Sequence, residues 1–353
     1  MKKIFAQPLN LHDHNTYDGE YHIQFERYDD SFRRKHCYWK LKYGASVEQQ
    51  RRWYKDLDNK IVNQQIPFQN MYNNLWDSHV DSDEVFATNI TVNGVKLYGR
   101  DAYFHKLGND FAKETDEYVP EHLWDHLTKD NVYYADHHQC HAAHTFLSSG
   151  YDESDIFIID GQGNTFRAVF IPSDTQEIIN LSDDLPVGWL WNVMTRLGGF
   201  GVLNEGKLMG LAGFGKYSPK WEHIFYLMFE EFRTKDGKYW PEEKFFDAYT
   251  NDATWKEDMA FTLQKFTNEI VLDTILPLKT SNNLCVAGGV SYNGYLNEEY
   301  TKHWKNVFVP NAPGDEGQSM GLYMHCNYVL NGRKDIPEPF AGKVHEVTED
   351  IFK

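Results

Sequence analysis

Two glycine turns, each at the end of a short buried-strand pattern, constrain this chain more than any other feature. Ile156-Phe157-Ile158-Ile159 runs into Asp160-Gly161-Gln162-Gly163-Asn164, and Leu284-Cys285-Val286-Ala287 runs into Gly288-Gly289-Val290-Ser291-Tyr292-Asn293. A short apolar run closed by glycine reads as a strand whose end turns tightly or meets another group closely. Further strand patterns fall at 3–9, 21–28, 85–92, 132–134, 167–171 and 307–309, and helical spacing at 47–57, 141–147, 259–276, 293–302 and 317–330. Strands interleaved with helices predict an α/β class. A ligand-type turn in each half predicts two lobes with a cleft between them. The polar loop 172–186, with Pro172, Ser173, Asp174 and Pro186, sets lobes of 1–175 and 176–353. Segment 217–255, rich in aromatic and acidic residues, reads as an insertion or cap over the cleft.

Asp136-His137-His138-Gln139-Cys140-His141-Ala142-Ala143-His144 is the strongest chemical pattern. His137 and His141 are four apart, which on a helix puts both imidazoles on one face, close enough to share an ion. Imidazoles completed by carboxylates suit a divalent transition metal. Surface or capping roles are the plainer reading of an HxxxH pair. Asp160 leads a Gly-x-Gly turn that would meet a metal or a phosphate through backbone N–H groups, or simply begin a hairpin.

Three more segments carry candidate groups. In Asn204-Glu205-Gly206-Lys207-Leu208-Met209-Gly210-Leu211-Ala212-Gly213-Phe214-Gly215, Glu205 and Lys207 could hold a ribose and phosphates. Otherwise the segment is a helix packed through glycines and ended at Gly213 or Gly215. The Gly288-Gly289 turn offers N–H donors and a helix N-terminus to an anion. Gly314-Asp315-Glu316-Gly317 is an acidic turn after a strand, or a plain helix N-cap at Asp315.

Composition narrows the class. The net charge of −17 argues against a general grip on a nucleic-acid backbone, although Arg33-Arg34-Lys35-His36 is a local basic exception. The four cysteines are scattered, as in a reducing compartment. The N-terminus lacks a signal-peptide pattern, and no apolar run is long enough to span a membrane. A cytoplasmic protein is expected.

Taken in order, these segments resemble the NodU/CmcH-type O-carbamoyltransferases. His137-His138-Gln139-Cys140-His141-Ala142-Ala143 resembles their HHxxHAA motif, and Asp160-Gly161-Gln162-Gly163 their DGxG turn. Lys207-Leu208-Met209-Gly210-Leu211-Ala212 resembles K(V/L)MGLA, Ala287-Gly288-Gly289-Val290 with Asn293 resembles AGGVxxN, and Gly314-Asp315-Glu316-Gly317 their late GDxG turn. Near the start, His12-Asp13 resembles the family's HD pair and Arg34-Lys35-His36 its R-x-KH segment.

The resemblance implies a two-lobed actin-like ATPase (ribonuclease H-like) fold. It implies a divalent metal, Fe2+ with Mg2+ or Mn2+ as alternatives, on His137, His141, Asp160 and Asp315. A nucleotide, as ATP or carbamoyl adenylate, would meet Gly161, Gly163, Asn164, Glu205, Lys207, Gly288, Gly289 and Asn293. Lys35 would approach the carbamoyl end, and His12, Asp13 or His14 would take the proton of an acceptor hydroxyl. The expected reaction is carbamoyl transfer, with carbamoyl phosphate and ATP as the source, to a sugar, a natural product or a hydroxymethylated DNA base. An Asn- and Tyr-rich composition hints at a phage source and hence a bacterial host. The alternatives are a non-catalytic regulatory nucleotide-binding subunit and a kinase or other transferase of the same fold.

The sequence departs from the family in three places. Nothing after Tyr323 resembles the YrdC-like activation domain of full-length relatives, so a partner chain is expected to supply that function. His14-Asn15-Thr16 replaces the small residues after HD, and the spacing from Glu26-Arg27 to Lys35 is wider than the family's.

Overall fold

Two sheets of one design organise the protein. The computed structural model describes residues 3–6, 8, 15–20, 22–24, 85–88, 106–107, 132–161, 167–201, 204–234, 246–247, 249–250 and 253–332. The first sheet contains β1 (Ile4–Ala6), β2 (Asn15–Tyr17), β3 (His22–Gln24), β4 (Val85–Thr88), β5 (Lys106–Leu107) and β6 (Val132–Tyr134), in the order β3-β2-β1-β4-β6-β5. The second contains β7 (Asp155–Ile159), β8 (Ala168–Ile171), β9 (Ile179–Asn180), β10 (Asn283–Ala287) and β11 (Asn306–Phe308), in the order β11-β10-β7-β8-β9.

Setting edge strand β5 aside, both sheets follow one plan. An antiparallel three-stranded meander lies beside two strands parallel to its first strand. The order is third, second, first, fourth, fifth in each. Such a duplication is the ribonuclease H-like repeat of an actin-like fold, as the family resemblance implies. β7 lies at the centre of its sheet with Phe157, Ile158 and Ile159 fully buried, which explains its unbroken apolar run.

Two parts of the sequence reading differ from this architecture. β7 and β8, counted in the 1–175 lobe, lie in the second sheet, because β7 pairs parallel with β10. β9 lies within 172–186 and pairs with β8, so that loop belongs to the second sheet instead of joining two lobes. Segment 217–255 also changes character. Its described part forms a helix from Pro219 to Thr234, with Trp221, Ile224, Phe225, Met228, Phe229 and Phe232 buried at helical spacing. Trp221 stacks on Phe225, Phe246 and Trp255. Burying such a side chain contributes about 1.5–3 kcal/mol. In the described part of the segment these aromatic residues fill the core over the second sheet.

Seven α-helices are used below: α1 (His137–Ser149), α2 (Val187–Leu197), α3 (Glu205–Leu211), α4 (Pro219–Thr234), α5 (Trp255–Ile275), α6 (Gly294–Thr301) and α7 (Gln318–Asn331). α2, α4 and α5 supply most of the large core over the second sheet. α1 and α7 pack on each other and tie the sheets together. α1 follows the first sheet yet touches β7 and β10, and α7 follows the second sheet yet touches β1 and β2. The packing is tight: a Cβ at Gly321 would lie 1.9 Å from the Cys140 carbonyl oxygen. The helix expected at 47–57 lies outside the described residues. Among the described residues no helix is long and apolar enough to cross a membrane.

Candidate metal centre

The His-rich run folds as α1 because both ends are marked. Asp136 caps it, its side chain accepting from the His138 N–H at 2.8 Å, and Gly150 ends it in the left-handed region at φ 71°. Burial pushes the Asp136 carboxyl up, against the backbone and histidine contacts that oppose it. Helical spacing then aims His137 and His141 the same way, with ring centroids 4.7 Å apart.

Two carboxylates from distant positions meet them. Asp160 closes β7 and Asp315 follows β11. His137 Nε2 lies 3.1 Å from Asp160 Oδ2 and 3.3 Å from Asp315 Oδ1. His141 Nε2 lies 3.2 Å and 3.4 Å from the same atoms. The two Nε2 atoms are 3.1 Å apart. All four residues are buried, and their donor atoms lie within 4.8 Å of one another.

Ligands sharing one ion at bonds of about 2.1 Å lie about 3.0 Å apart at right angles and about 3.4 Å apart at tetrahedral angles. The five separations given above, from each imidazole nitrogen to the carboxylate oxygens and to the other nitrogen, fall in that interval. Two neutral imidazoles and two carboxylates also carry the charge that a divalent cation neutralises. The cluster can therefore hold a metal, and its N2O2 donor set suits iron, manganese or zinc.

Electrostatics separates His141 from His138 and His144. Burial disfavours a charged His141, but hydrogen bonds to Asp160 and Asp315 outweigh it and raise the ring to about 9. Burial likewise opposes the charged form of Asp160, yet hydrogen bonds from His137 and His141 hold its carboxyl well below the ordinary value. His138 and His144 go the other way. Burial keeps both neutral, His138 well below its ordinary value and His144 at about 3. His144 is a packing residue: a Cβ at Gly317 would sit 2.8 Å from its Nδ1.

The glycine turns converge on Asp160. Gly288 has φ 94°, and a Cβ there would lie 2.3 Å from the Ile159 carbonyl oxygen. A Cβ at Gly289 would lie 3.1 Å from Asp160 Oδ1, and one at Gly188, in α2, 2.6 Å from the Asp160 carbonyl oxygen. Gly288 N–H donates to the Pro313 carbonyl at 2.7 Å, tying this turn to the Asp315 loop. Gly161 is exposed, and its N–H donates to Asp160 Oδ1 at 2.6 Å.

The other expected residues are placed as follows. Glu205 and Lys207 lie on α3, where Glu205 Oε1 accepts from Asn192 Nδ2 at 3.1 Å. Asn293 is the N-cap of α6: Oδ1 accepts from Leu296 N–H at 3.1 Å and Nδ2 donates to Gln264 Oε1 at 2.9 Å. Gly215 ends the 204–215 glycine segment at φ −96°, and it serves close packing, because a Cβ would lie 1.9 Å from the Glu257 carbonyl oxygen. Asp315 is no N-cap; Gly314 precedes the 3-10 turn Asp315–Gly317. His12, Asp13, His14, Lys35, Gly163 and Asn164 lie outside the described residues.

Sequence reasoning missed several supports. Gly188 carries no local signal, nor does Gln318, whose Nε2 donates to the His137 carbonyl at 3.1 Å, nor the hydrogen bond from Tyr292 to the Glu316 carboxylate. None repeats a pattern visible along the chain.

Comparison with known proteins gives this geometry a context. The family model described as carbamoyltransferase N-terminus matches residues 55–323. An uncharacterized protein of Synechocystis is 29% identical over 255 residues, 62% of this chain and 41% of that protein. Nodulation protein NolO of Bradyrhizobium diazoefficiens is 28% identical over 227 residues, 58% of this chain and 41% of the relative. Nodulation protein NolNO of Sinorhizobium fredii is 24% identical over 216 residues, 54% and 30% respectively. The chain thus matches less than half the length of each relative. Among solved structures, the activator of 2-hydroxyisocaproyl-CoA dehydratase from Clostridium difficile has a TM-score of 0.44 at 12% identity, covering 95% of this chain and 100% of that one. HypF of T. kodakarensis has a TM-score of 0.41 at 10% identity, covering 96% and 49%. The duplicated sheet order, not these distant likenesses, defines the fold. Matched over well more than half its length, the chain belongs to the carbamoyltransferase N-terminus family.

Proposed function

We propose that this protein is the transfer module of an O-carbamoyltransferase. It moves a carbamoyl group from carbamoyl adenylate, derived from carbamoyl phosphate and ATP, to an acceptor hydroxyl. The observation that carries the reading is the convergence of His137, His141, Asp160 and Asp315, from α1 and two distant turns, in a chain of this family.

A divalent cation held by those four residues, Fe2+ in our reading, would supply Lewis-acid stabilisation to charge on the donor's oxygens. The chain's own groups do the rest. The turns at Gly161 and Gly288-Gly289 let backbone approach the phosphate. Gly163, Asn164, Glu205, Lys207 and Asn293 complete the nucleotide contacts; the cap role of Asn293 leaves one amide hydrogen to give. Lys35 stabilises charge at the carbamoyl oxygen. The acceptor oxygen bonds to the carbamoyl carbon, the bond from that carbon to the phosphate oxygen breaks, and AMP departs. One of His12, Asp13 and His14 takes the hydroxyl proton, a step worth about 10²–10⁴-fold.

The test supplies carbamoyl adenylate made in situ by a separate YrdC-type domain, with ferrous iron. Sugars, nucleosides and hydroxymethylated DNA serve as acceptors, read by mass spectrometry. A carbamoylated product that disappears with His141→Ala supports the reading and names the acceptor class. A phosphorylated product would replace it with a kinase. No product, and no metal taken up under anaerobic conditions, would leave a nucleotide-binding subunit without catalysis.

A further inference from the structure

Asn15 is fully buried in β2, and both ends of its amide are engaged with the turn that carries Asp315. Nδ2 donates to the Asp315 carbonyl at 2.8 Å, and Oδ1 accepts from the Ser319 N–H at 2.8 Å. The partners fix the amide's orientation, since a carbonyl only accepts and an N–H only donates. They are also a particular pair. In an uninterrupted α-helix the N–H of residue 319 would bond to the carbonyl of residue 315. Here Asn15 takes both groups. The segment instead makes the 3-10 turn Asp315–Gly317, with the Gln318 N–H bonded to the Asp315 carbonyl, and α7 starts only at Gln318.

We propose that Asn15 is a positioning residue that aims the Asp315 carboxylate at the His137–His141–Asp160 cluster by holding this turn out of α7. The inference rests on the metal-centre reading above. Its physical basis is a choice between two backbone states. With the amide present, both groups are satisfied in the tight turn. Without it, the Ser319 N–H is a buried donor that needs an acceptor, and the nearest geometry that supplies one is the α-helical bond to the Asp315 carbonyl. Adding that bond would wind α7 back by a turn and rotate Asp315 on the helix surface. Asn15 belongs to the first sheet, while Asp160 and Asp315 follow strands of the second. The first sheet thus sets the aim of a ligand that it does not carry. Asn15 also directly follows His14 in the chain, so the segment proposed to hold the acceptor and the anchor of the ligand turn are contiguous.

The test is Co2+ binding to purified chain, followed by its visible absorption bands and by calorimetry, with far-UV circular dichroism and melting of the metal-free proteins. Asn15→Ala and the volume-keeping Asn15→Leu are compared with Thr16→Ala, a buried neighbour on the same strand. The expected result is a rise in Kd of about 10-fold or more and altered Co2+ bands in both Asn15 variants, because partners that orient ligands typically carry 10–100-fold of affinity. Thr16→Ala keeps the wild-type Kd and bands. Folded Asn15 variants with wild-type Kd and bands overturn the proposal. So does an equal loss in Thr16→Ala, or failure of both Asn15 variants to fold, since the residue would then hold the fold and not the ligand. Wild-type protein that takes up no Co2+ removes the metal centre itself, a separate failure from unchanged variants of a protein that binds.

Discussion

Gly288→Ala tests whether the contact between the two glycine turns is obligatory. Two costs add at this position. The backbone sits at φ 94° and ψ 162°, a region open to glycine and closed to other residues, so an alanine there carries about 1–3 kcal/mol of strain. The new methyl carbon would also lie 2.3 Å from the Ile159 oxygen and 2.7 Å from its carbonyl carbon. Both are backbone atoms of a central strand, so no side chain can swing aside. Forcing β7 and the turn apart is overpacking, worth a further ~1–3 kcal/mol. The total is about 2–6 kcal/mol, a large share of the 5–15 kcal/mol typical of a folded domain. Ile159 precedes Asp160, so the same displacement should weaken metal binding. Urea unfolding of the metal-free variant measures the first effect and Co2+ titration the second. Gly210→Ala is the control: it sits inside α3 with nothing within 4 Å of a new Cβ. It should gain up to about 1 kcal/mol in helix propensity. A Gly288→Ala protein that loses less than about 1 kcal/mol, or whose loss equals the change at Gly210, would refute the argument from close approach.

His141→Ala removes one of the four candidate ligands and should reduce Co2+ or Fe2+ uptake from one ion per chain to none at micromolar metal, as read by elemental analysis. Metal affinity should rise with pH between 6.5 and about 9, because His141 is protonated below its raised value and the cation must displace that proton; titrations across the window should show up to about tenfold per pH unit. The same shift sets a sign for the metal-free fold: the stabilisation from charged His141 is complete below 6.5 and lost as pH rises through about 9. Melting of wild type against His141→Gln should therefore converge at high pH. Trp221→Ala should cost about 3–5 kcal/mol in urea unfolding while leaving Co2+ affinity intact in the folded protein, because Trp221 packs in the core over the second sheet.

The sequence exposes the parts of this fold that depend on local pattern. The unbroken apolar runs of β7 and β10 are visible because strands covered on both faces leave no polar alternation. α1 is visible from its histidines, and its start four positions before the expected helix follows from the Asp136 cap. In sequence, segment 217–255, which contains α4, reads as an insertion or cap because it is rich in aromatic and acidic residues; only the 3.6-residue period gathers Trp221, Phe225 and Phe232 on one side. The lobe boundary was misplaced for a different reason. Loop 172–186 looks like a linker by composition, yet pairing of β7 with β10, more than 100 residues away, decides which sheet it joins. In sequence, Asn15 stands only within His14-Asn15-Thr16, a departure from a family motif. No local signal could reveal that its amide binds a turn 300 residues later.

The convergence itself has a topological cause. His137 and His141 follow the end of β6, Asp160 directly follows β7, Gly288 directly follows β10, and Asp315 comes after β11. All four are parallel-paired strands of the two sheets, and in open α/β sheets such strands deliver their ligands at the carboxyl edge. One sheet alone would bring together two of the three ligand-bearing segments. The third reaches the cluster because α1 leaves the first sheet and packs on the second, while α7 leaves the second and packs on the first. A centre built across that exchange depends on the fit between the helices. The glycines at 317 and 321, which bring α7 against His144 and the Cys140 carbonyl, are therefore as much part of the site's construction as the ligands.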